Sequence, residues 1–242
     1  MKYAVIGDIH ANYQALEAVL EKAAEEGVER FICLGDIVGY NAEPSACLER
    51  IRELEPDVIV RGNHDEYVSS GEELLGFNPQ AANVVEWTRE QLTPQQREWL
   101  ASLAYQKNLD SKVTVVHATL DMPAHWGYIF DKWHATSSFV YQYTQICFVG
   151  HTHVPVAFDK FMQISTLNYD EITIEPGHKY LINVGSVGQP RDGDPRAAFA
   201  VYDDAEKMVK KVRVPYDLDK CQQLIREAEL PEKCAMRLAE GR

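Results

Sequence analysis

An α/β fold with parallel strands is what the first 60 residues predict, because short apolar runs ending in β-branched residues alternate there with stretches of helical periodicity. Two further observations support it. Polar residues able to bind metal stand at the ends of successive strands, and the chain after residue 145 breaks into short alternating segments that make a β-rich second half.

The elements follow in order. Residues 2–6 (KYAVI) form an apolar run, and Leu16, Val19, Leu20 and Ala23 then recur on one helical face up to Gly27. Residues 30–34 (RFICL) are the next strand, 44–51 a helix opened by proline, and 57–60 (DVIV) a third strand, which completes βαβαβ. Residues 66–104 break this pattern. Glu, Gln, Trp87, Trp99 and leucines at helical spacing replace β-branched residues there, which predicts a helical insertion. Strands return at 112–117 (KVTVVH) and 145–149 (QICFV), then at 155–159, 162–166, 171–175, 179–184, 197–202 and 207–214. A terminal helix over 217–228 carries Leu218, Cys221, Leu224, Ile225 and Ala228 on one stripe and stops before Pro231. Residues 1–242 are expected to form one domain, a length at which a single α/β domain buries an ample core.

Composition narrows the function. The 242 residues carry 24 Lys and Arg against 37 Asp and Glu, a net charge of -13, which argues against the extended basic surface that long nucleic acid requires. The acidic excess lies in residues 1–202, because residues 203–242 hold nine acids and nine bases. Five cysteines with no C-x-x-C pair disfavour both a disulfide framework and a structural zinc knot. The apolar stretch of the N-terminus is cut by Asp8 and is too short for a signal peptide, and no run of about 18 apolar residues offers a membrane span. A cytoplasmic protein without membrane or long nucleic-acid partners is expected.

The chemistry sits at the strand ends. Strand one is followed by Asp8-Ile9-His10, strand two by Gly35-Asp36 and strand three by Gly62-Asn63-His64-Asp65. Later, KVTVV ends at His117, and QICFV runs into Gly150-His151-Thr152-His153. Parallel strands bring their C-terminal ends to one edge, where α/β sheets bind ligands, so these residues are expected to converge. Asp, His and Asn together suit divalent Mn, Fe, Zn, Co or Ni better than an all-oxygen Ca or Mg cage. The alternation in Asp8-x-His10 and His151-x-His153 would direct each pair to one side of an extended segment, onto one ion or onto two. Two ions about 3.5–4 Å apart would allow a bridging carboxylate and a bridging hydroxide, as hydrolytic two-metal sites do. D-x-H by itself is common, and Gly-His-x-His can be structural. The order of five elements at five strand ends, taking five of the eight histidines, is what points to a metal site.

This ordered set, D-x-H, G-D, G-N-H-D, H and G-H-x-H over residues 8–153, resembles the signature of the calcineurin-like metallophosphoesterase superfamily. The segment from Asn183 to Asp194 (NVGSVGQPRDGD) resembles its predicted phosphodiesterase branch, related to diadenosine tetraphosphatases. The resemblance implies a four-layer α/β/β/α sandwich of two mixed sheets, with a dinuclear metal site at the strand C-terminal ends. It implies that Asp8, His10 and His153 hold one ion, that Asp36 bridges, and that Asn63, His117 and His151 hold the second, with Mn favoured. His64 matches a histidine that faces the substrate and serves the departing oxygen instead of a metal. A hydroxide generated between the ions would attack phosphorus in line, so no protein nucleophile is needed. Ser186 in VGSVG lacks the first glycine of a nucleophile elbow, which Val184 replaces.

Departures from the family narrow the substrate. The Ser/Thr protein phosphatases of this superfamily continue the second motif as GDxVDRG, where the aspartate pairs with the catalytic histidine. Here those positions are Gly39 and Tyr40, and Asp65 stands where they carry GNHE. A small phosphodiester, phosphomonoester or nucleotide is the expected substrate. A phosphoprotein phosphatase and a non-catalytic scaffold on the same fold are the alternatives, the scaffold opposed by the retained His64. Asn12 and Arg191 are candidates for phosphate contact, although Asn12 also suits a helix N-cap and Arg191 an anchor for the Asp192/Asp194 loop. Residues 66–104 and the aromatic stretch 125–133 are expected to flank His64.

Overall fold

The structure, a computed structural model, describes residues 1–74 and 78–242. β1 (Lys2–Ile6), α1 (Tyr13–Glu25), β2 (Arg30–Cys33), α2 (Pro44–Leu54) and β3 (Val58–Ile59) make the βαβαβ opening, with β1, β2 and β3 parallel. α3 (Asn63–Ser70), α4 (Pro79–Gln91) and α5 (Pro94–Ser102) occupy the segment read as a helical insertion, of which residues 75–77 lie outside the described residues. α4 and α5 each begin on a proline behind a capping residue, Asn78 and Thr93, whose side chains accept from the N–H groups of Gln80 and Gln96.

β4 (Gln106–Asn108), β5 (Val113–Val116), α6 (Lys132–Tyr141), β6 (Ile146–Val149), β7 (Val156–Lys160), β8 (Ile164–Leu167), β9 (Glu171–Thr173), β10 (Lys179–Asn183), β11 (Ala197–Asp203) and β12 (Met208–Val214) build the second half. α7 (Leu218–Glu227) and α8 (Glu232–Glu240) follow. Of these, β4, α6 and α8 have no counterpart in the sequence reading. Pro231, read as a stop for α7, also stands at the N-cap of α8.

The strands form two mixed sheets, ordered β3-β2-β1-β11-β12-β9 and β4-β5-β6-β10-β7-β8. Period-2 alternation decides what lies between them. Tyr3, Val5, Ile32 and Leu34 face the other sheet and pack with Val113, Val115, Ile146 and Phe148. Ala4 and Ile6 face outward and meet Leu16, Val19 and Leu20 of α1. On the far side, Ala135 and Phe139 of α6 cover Cys147 and Val149. The layers are therefore helix, sheet, sheet, helix, each large apolar side chain contributing about 1.5–3 kcal/mol by burial. α4, α7 and α8 share a further cluster around Val84, Ile225 and Leu238. No helix among the described residues is long and apolar enough to cross a membrane.

Two mixed sheets between helices are the fold expected, and the one difference is that the strand ends do not share a single edge. The strand ends lie on two sheets, with β1, β2 and β3 parallel in the first and β5 and β6 parallel in the second. The loops that follow these strands meet across the interface between the sheets.

Candidate metal centre

Four imidazoles converge, and each commits one ring nitrogen to a backbone carbonyl. Nδ1 of His10 lies 3.2 Å from Val38 O, Nδ1 of His117 2.8 Å from Leu34 O, and Nδ1 of His153 2.6 Å from Gln189 O. For His151 the committed atom is Nε2, 3.0 Å from Trp126 O. A carbonyl only accepts, so each of these nitrogens carries a proton, and in the neutral rings of His10, His151 and His153 the other nitrogen presents a lone pair. Nε2 of His10 and Nε2 of His153 consequently face one another at 3.0 Å with no proton between them. Two lone pairs at that separation repel unless a cation takes both, so the donor set fits a metal ion, held by the outer hydrogen bonds typical of metal-binding histidines.

The carboxylates complete the arrangement. Oδ1 of Asp36 accepts from the His64 N–H at 2.8 Å, which leaves Oδ2 3.6 Å from His10 Nε2 and 3.3 Å from His117 Nε2. Asp8 Oδ1 is 3.6 Å from His153 Nε2, and Asn63 Oδ1 is 3.2 Å from His117 Nε2. Ligand atoms of Asp8, His10, Asp36 and His153 lie within 4.8 Å of one another, as do those of Asp36, His117 and His151. The structure thus brings all the candidate ligands together in two adjoining groups that share Asp36.

The convergence does not come from extended segments, as the alternation had suggested. Asp8 (φ 50°), His10 (φ 48°), Asp36 (φ 50°), His151 (φ 67°) and His153 (φ 60°) are all left-handed, a region non-glycine residues seldom enter. Such residues cost about 1–3 kcal/mol each and persist only where their surroundings over-determine them. Here the first loop is strapped to the second: the N–H groups of Ile9 and His10 reach Asp36 O at 2.8 and 2.9 Å, and Asn41 Nδ2 reaches His10 O at 2.6 Å. Ser186 is a buried strut, donating to Asp8 O and accepting from the Gln189 N–H, both at 2.8 Å.

Burial, reinforced by the Asp36 carboxylate, raises Asp8 to about 7. Burial also opposes charge on Asp36, but His117, His64 and His10 outweigh it and hold this carboxyl well below the usual range. For His117 burial is likewise overcome, by Asp36 and then Asp8, and the imidazole is lifted to about 9. Burial takes His10 and His153 well below the ordinary imidazole value and His151 to about 3, so these three are neutral at pH 7, as ligands must be.

His64 stands at the start of α3 beside the two groups, its ring 4.4 Å from Tyr40 and 5.0 Å from His10. Its Nδ1 is buried without a hydrogen-bond partner, and a Cβ at Gly39 (φ +96°) would come within 2.5 Å of that atom. The position where protein phosphatases carry an aspartate therefore has no room for a side chain. Burial lowers the His64 pKa. Asp65 supports the same turn, accepting from the N–H groups of Ile37 at 2.9 Å and Gly62 at 3.0 Å, while a Cβ on Gly62 would run into Asp36.

Asn12 is fully buried, with Oδ1 on the Ala15 N–H at 3.1 Å and Nδ2 on Gly188 O at 3.0 Å. Its amide is engaged inside the protein, which favours the capping alternative. Arg191 differs. Its guanidinium lies 5.6 Å from the centre of the Tyr40 ring, one terminal N–H reaches Gln189 Oε1 at 2.9 Å, and Nε is buried without a partner. Asp192 and Asp194 pair with Arg213 and Arg196, so Arg191 does not anchor their loop.

Segment 125–133 borders the centre. Tyr128 stacks on His151 at 4.2 Å, Phe130 stacks on Tyr128 at 5.2 Å, and Trp126 lies edge-on to His117 at 5.9 Å. From 66–104, Tyr67 comes within 6.1 Å of His64. Asn41, the strut role of Ser186 and the carbonyls of Val38, Leu34, Gln189 and Trp126 were not legible in the sequence. A backbone carbonyl has no sequence signature, because every residue supplies one.

Comparison with known proteins agrees with this geometry. The profile of the calcineurin-like phosphoesterase superfamily domain matches residues 1–207. An uncharacterised protein of Methanocaldococcus jannaschii is 38% identical over 242 residues, 99% of this chain and 98% of its own. The phosphodiesterase YfcE of Escherichia coli is 26% identical over 213 residues, 84% of this chain and 88% of its own. The crystal structure of a metallophosphoesterase from Sphaerobacter thermophilus superposes with a TM-score of 0.89 at 40% identity, covering 100% of this chain and 99% of its own.

Proposed function

The chain belongs to the calcineurin-like phosphoesterase superfamily, and from that premise we propose that it is a two-metal hydrolase of small phosphodiesters, phosphomonoesters or nucleotides. In this reading Asp8, His10 and His153 hold one ion, Asn63, His117 and His151 the other, and Asp36 bridges. The carrying observation is the 3.0 Å approach of the His10 and His153 lone pairs beside the shared Asp36 carboxylate. Divalent ions bound there, Mn²⁺ favoured, would activate water for attack on phosphorus and neutralise the charge of the phosphate.

The protein's own groups do the rest. The His64 N–H holds Asp36 Oδ1 and so fixes which oxygen faces the ligands. The His64 ring nitrogen away from Gly39 donates to the departing oxygen. Position 39 offers no carboxylate, and burial outweighs the pull of Asp36, so the affinity of His64 for its proton is lowered. That suits esters whose leaving group needs little protonation, and it counts against a phosphoprotein phosphatase. Arg191, held over Tyr40 with an unpartnered Nε, is the group that would grip a non-bridging phosphate oxygen.

The test is hydrolysis of bis(p-nitrophenyl) phosphate, p-nitrophenyl phosphate and a phosphopeptide by Mn-loaded protein. The diester should be turned over, the phosphopeptide more slowly, and His64→Ala should lose roughly 10²–10⁴-fold in kcat while retaining its manganese. Absence of any hydrolysis that depends on His64 would sink the proposal.

A further inference from the structure

We infer that the cleft continues past Tyr40 into a second anion subsite, where Lys233 and Arg237 of α8 bind a phosphate group of the substrate other than the one being cleaved. This rests on the phosphoesterase reading and names the substrate class more closely: an ester that carries at least one additional phosphate. Tyr40 is the partition between the two regions. Its ring lies 4.4 Å from His64 and 4.7 Å from His10, and it also lines a cavity of about 220 Å³ enclosed by α4 and α8. Val84 and Cys234 contribute to the apolar part of that cavity, and Lys233 and Arg237 supply its charge, with no acidic residue among the described residues that line it.

Several independent features give this cavity an anion preference. Lys233 and Arg237 are one helical turn apart and so share a face of α8. The ion pairs of this region are Arg226 with Glu232 and Arg242 with Glu240, and neither Lys233 nor Arg237 has a carboxylate partner among the described residues. The first turn of α4, whose Gln80 and Ala81 also line the cavity, contains no acidic residue and adds the positive end of a 13-residue helix. Arg191 lies over the same Tyr40 ring, 5.6 Å from its centre. α8, which carries both cations, lies beyond residues 1–207, the part matched by the superfamily profile.

The test uses two nitrophenyl esters with one leaving group, thymidine 5′-(p-nitrophenyl phosphate) and its 3′-phosphorylated form, on Mn-loaded full-length protein. The 3′-phosphorylated probe should have a kcat/KM about tenfold higher, through KM. In Lys233→Ala/Arg237→Ala the ratio of the two kcat/KM values should fall to about one, and Arg237→Lys should restore most of it. A ratio of one in the wild type, or an unchanged ratio in the double variant, overturns the subsite. Hydrolysis of neither probe counts against the esterase reading instead. In that case a rise in Tm on adding pyrophosphate to chelator-treated protein reads the subsite alone: present in the wild type and lost in the double variant if the inference holds, equal in both if it fails.

Discussion

A methyl group at position 39 would stand 2.5 Å from Nδ1 of His64, on a backbone whose φ is +96°. Gly39→Ala therefore has to move either the histidine or the turn. Since a displacement of about 1 Å at a reacting group can cost about 10²-fold, kcat should drop by that order while metal content stays unchanged, which metal analysis and steady-state rates would check together. Unaltered kcat would remove Gly39 from any account of His64. Asp65→Asn places an amide where the N–H groups of Ile37 and Gly62 need acceptors, and should lower stability by about 1–3 kcal/mol in urea titration. The seven candidate side-chain donors were legible from sequence because metal chemistry restricts residue type. The direction in which they point was not, since nothing in Asp8-Ile9-His10 announces a left-handed φ for two non-glycine residues.

At the level of elements, the aromatic segment 125–133 works as a support. The Tyr128 ring lies on His151 and the Trp126 carbonyl fixes the His151 tautomer, so the segment orients a candidate ligand. Tyr128→Ala should weaken the second Mn²⁺ by roughly 10–100-fold and leave the first unaffected, as resolved by calorimetric titration. Two sites weakened equally would argue for general loosening. Every strand but β4 was readable, as a short apolar run or an alternating segment. α6 was not, because its turns mix β-branched and aromatic residues and bury only Ala135, Ser138 and Phe139, so packing on the sheet overrides a weak local signal. β4 was hidden for the opposite reason: its three residues are polar and exposed, and only pairing with β5 makes them a strand.

For the molecule as a whole, the decisive circumstance is that Asp8, His10, Asp36 and Asn63 follow strands of one sheet, whereas His117, His151 and His153 follow strands of the other. Folding therefore assembles the site, and ions bound there as proposed would stabilise the fold in return. Mn²⁺ at about 100 times its Kd should add about 2.7 kcal/mol per site, a rise of roughly 5–10 °C in Tm for a chain of this size, measurable by calorimetry against chelator-treated protein. The pH dependence has a definite sign. His117 holds its proton up to about 9 and Asp8 up to about 7, and both must release it to coordinate. Affinity for Mn²⁺ should rise between pH 6 and 9, with net proton release at pH 7 when titrations in buffers of different ionisation enthalpy are compared; zero release would contradict it. A clasp between two sheets also has a physiological reach beyond catalysis. In a metal-starved cell the sandwich would open more often and be degraded sooner, so the abundance of this protein would track the supply of the ion it depends on.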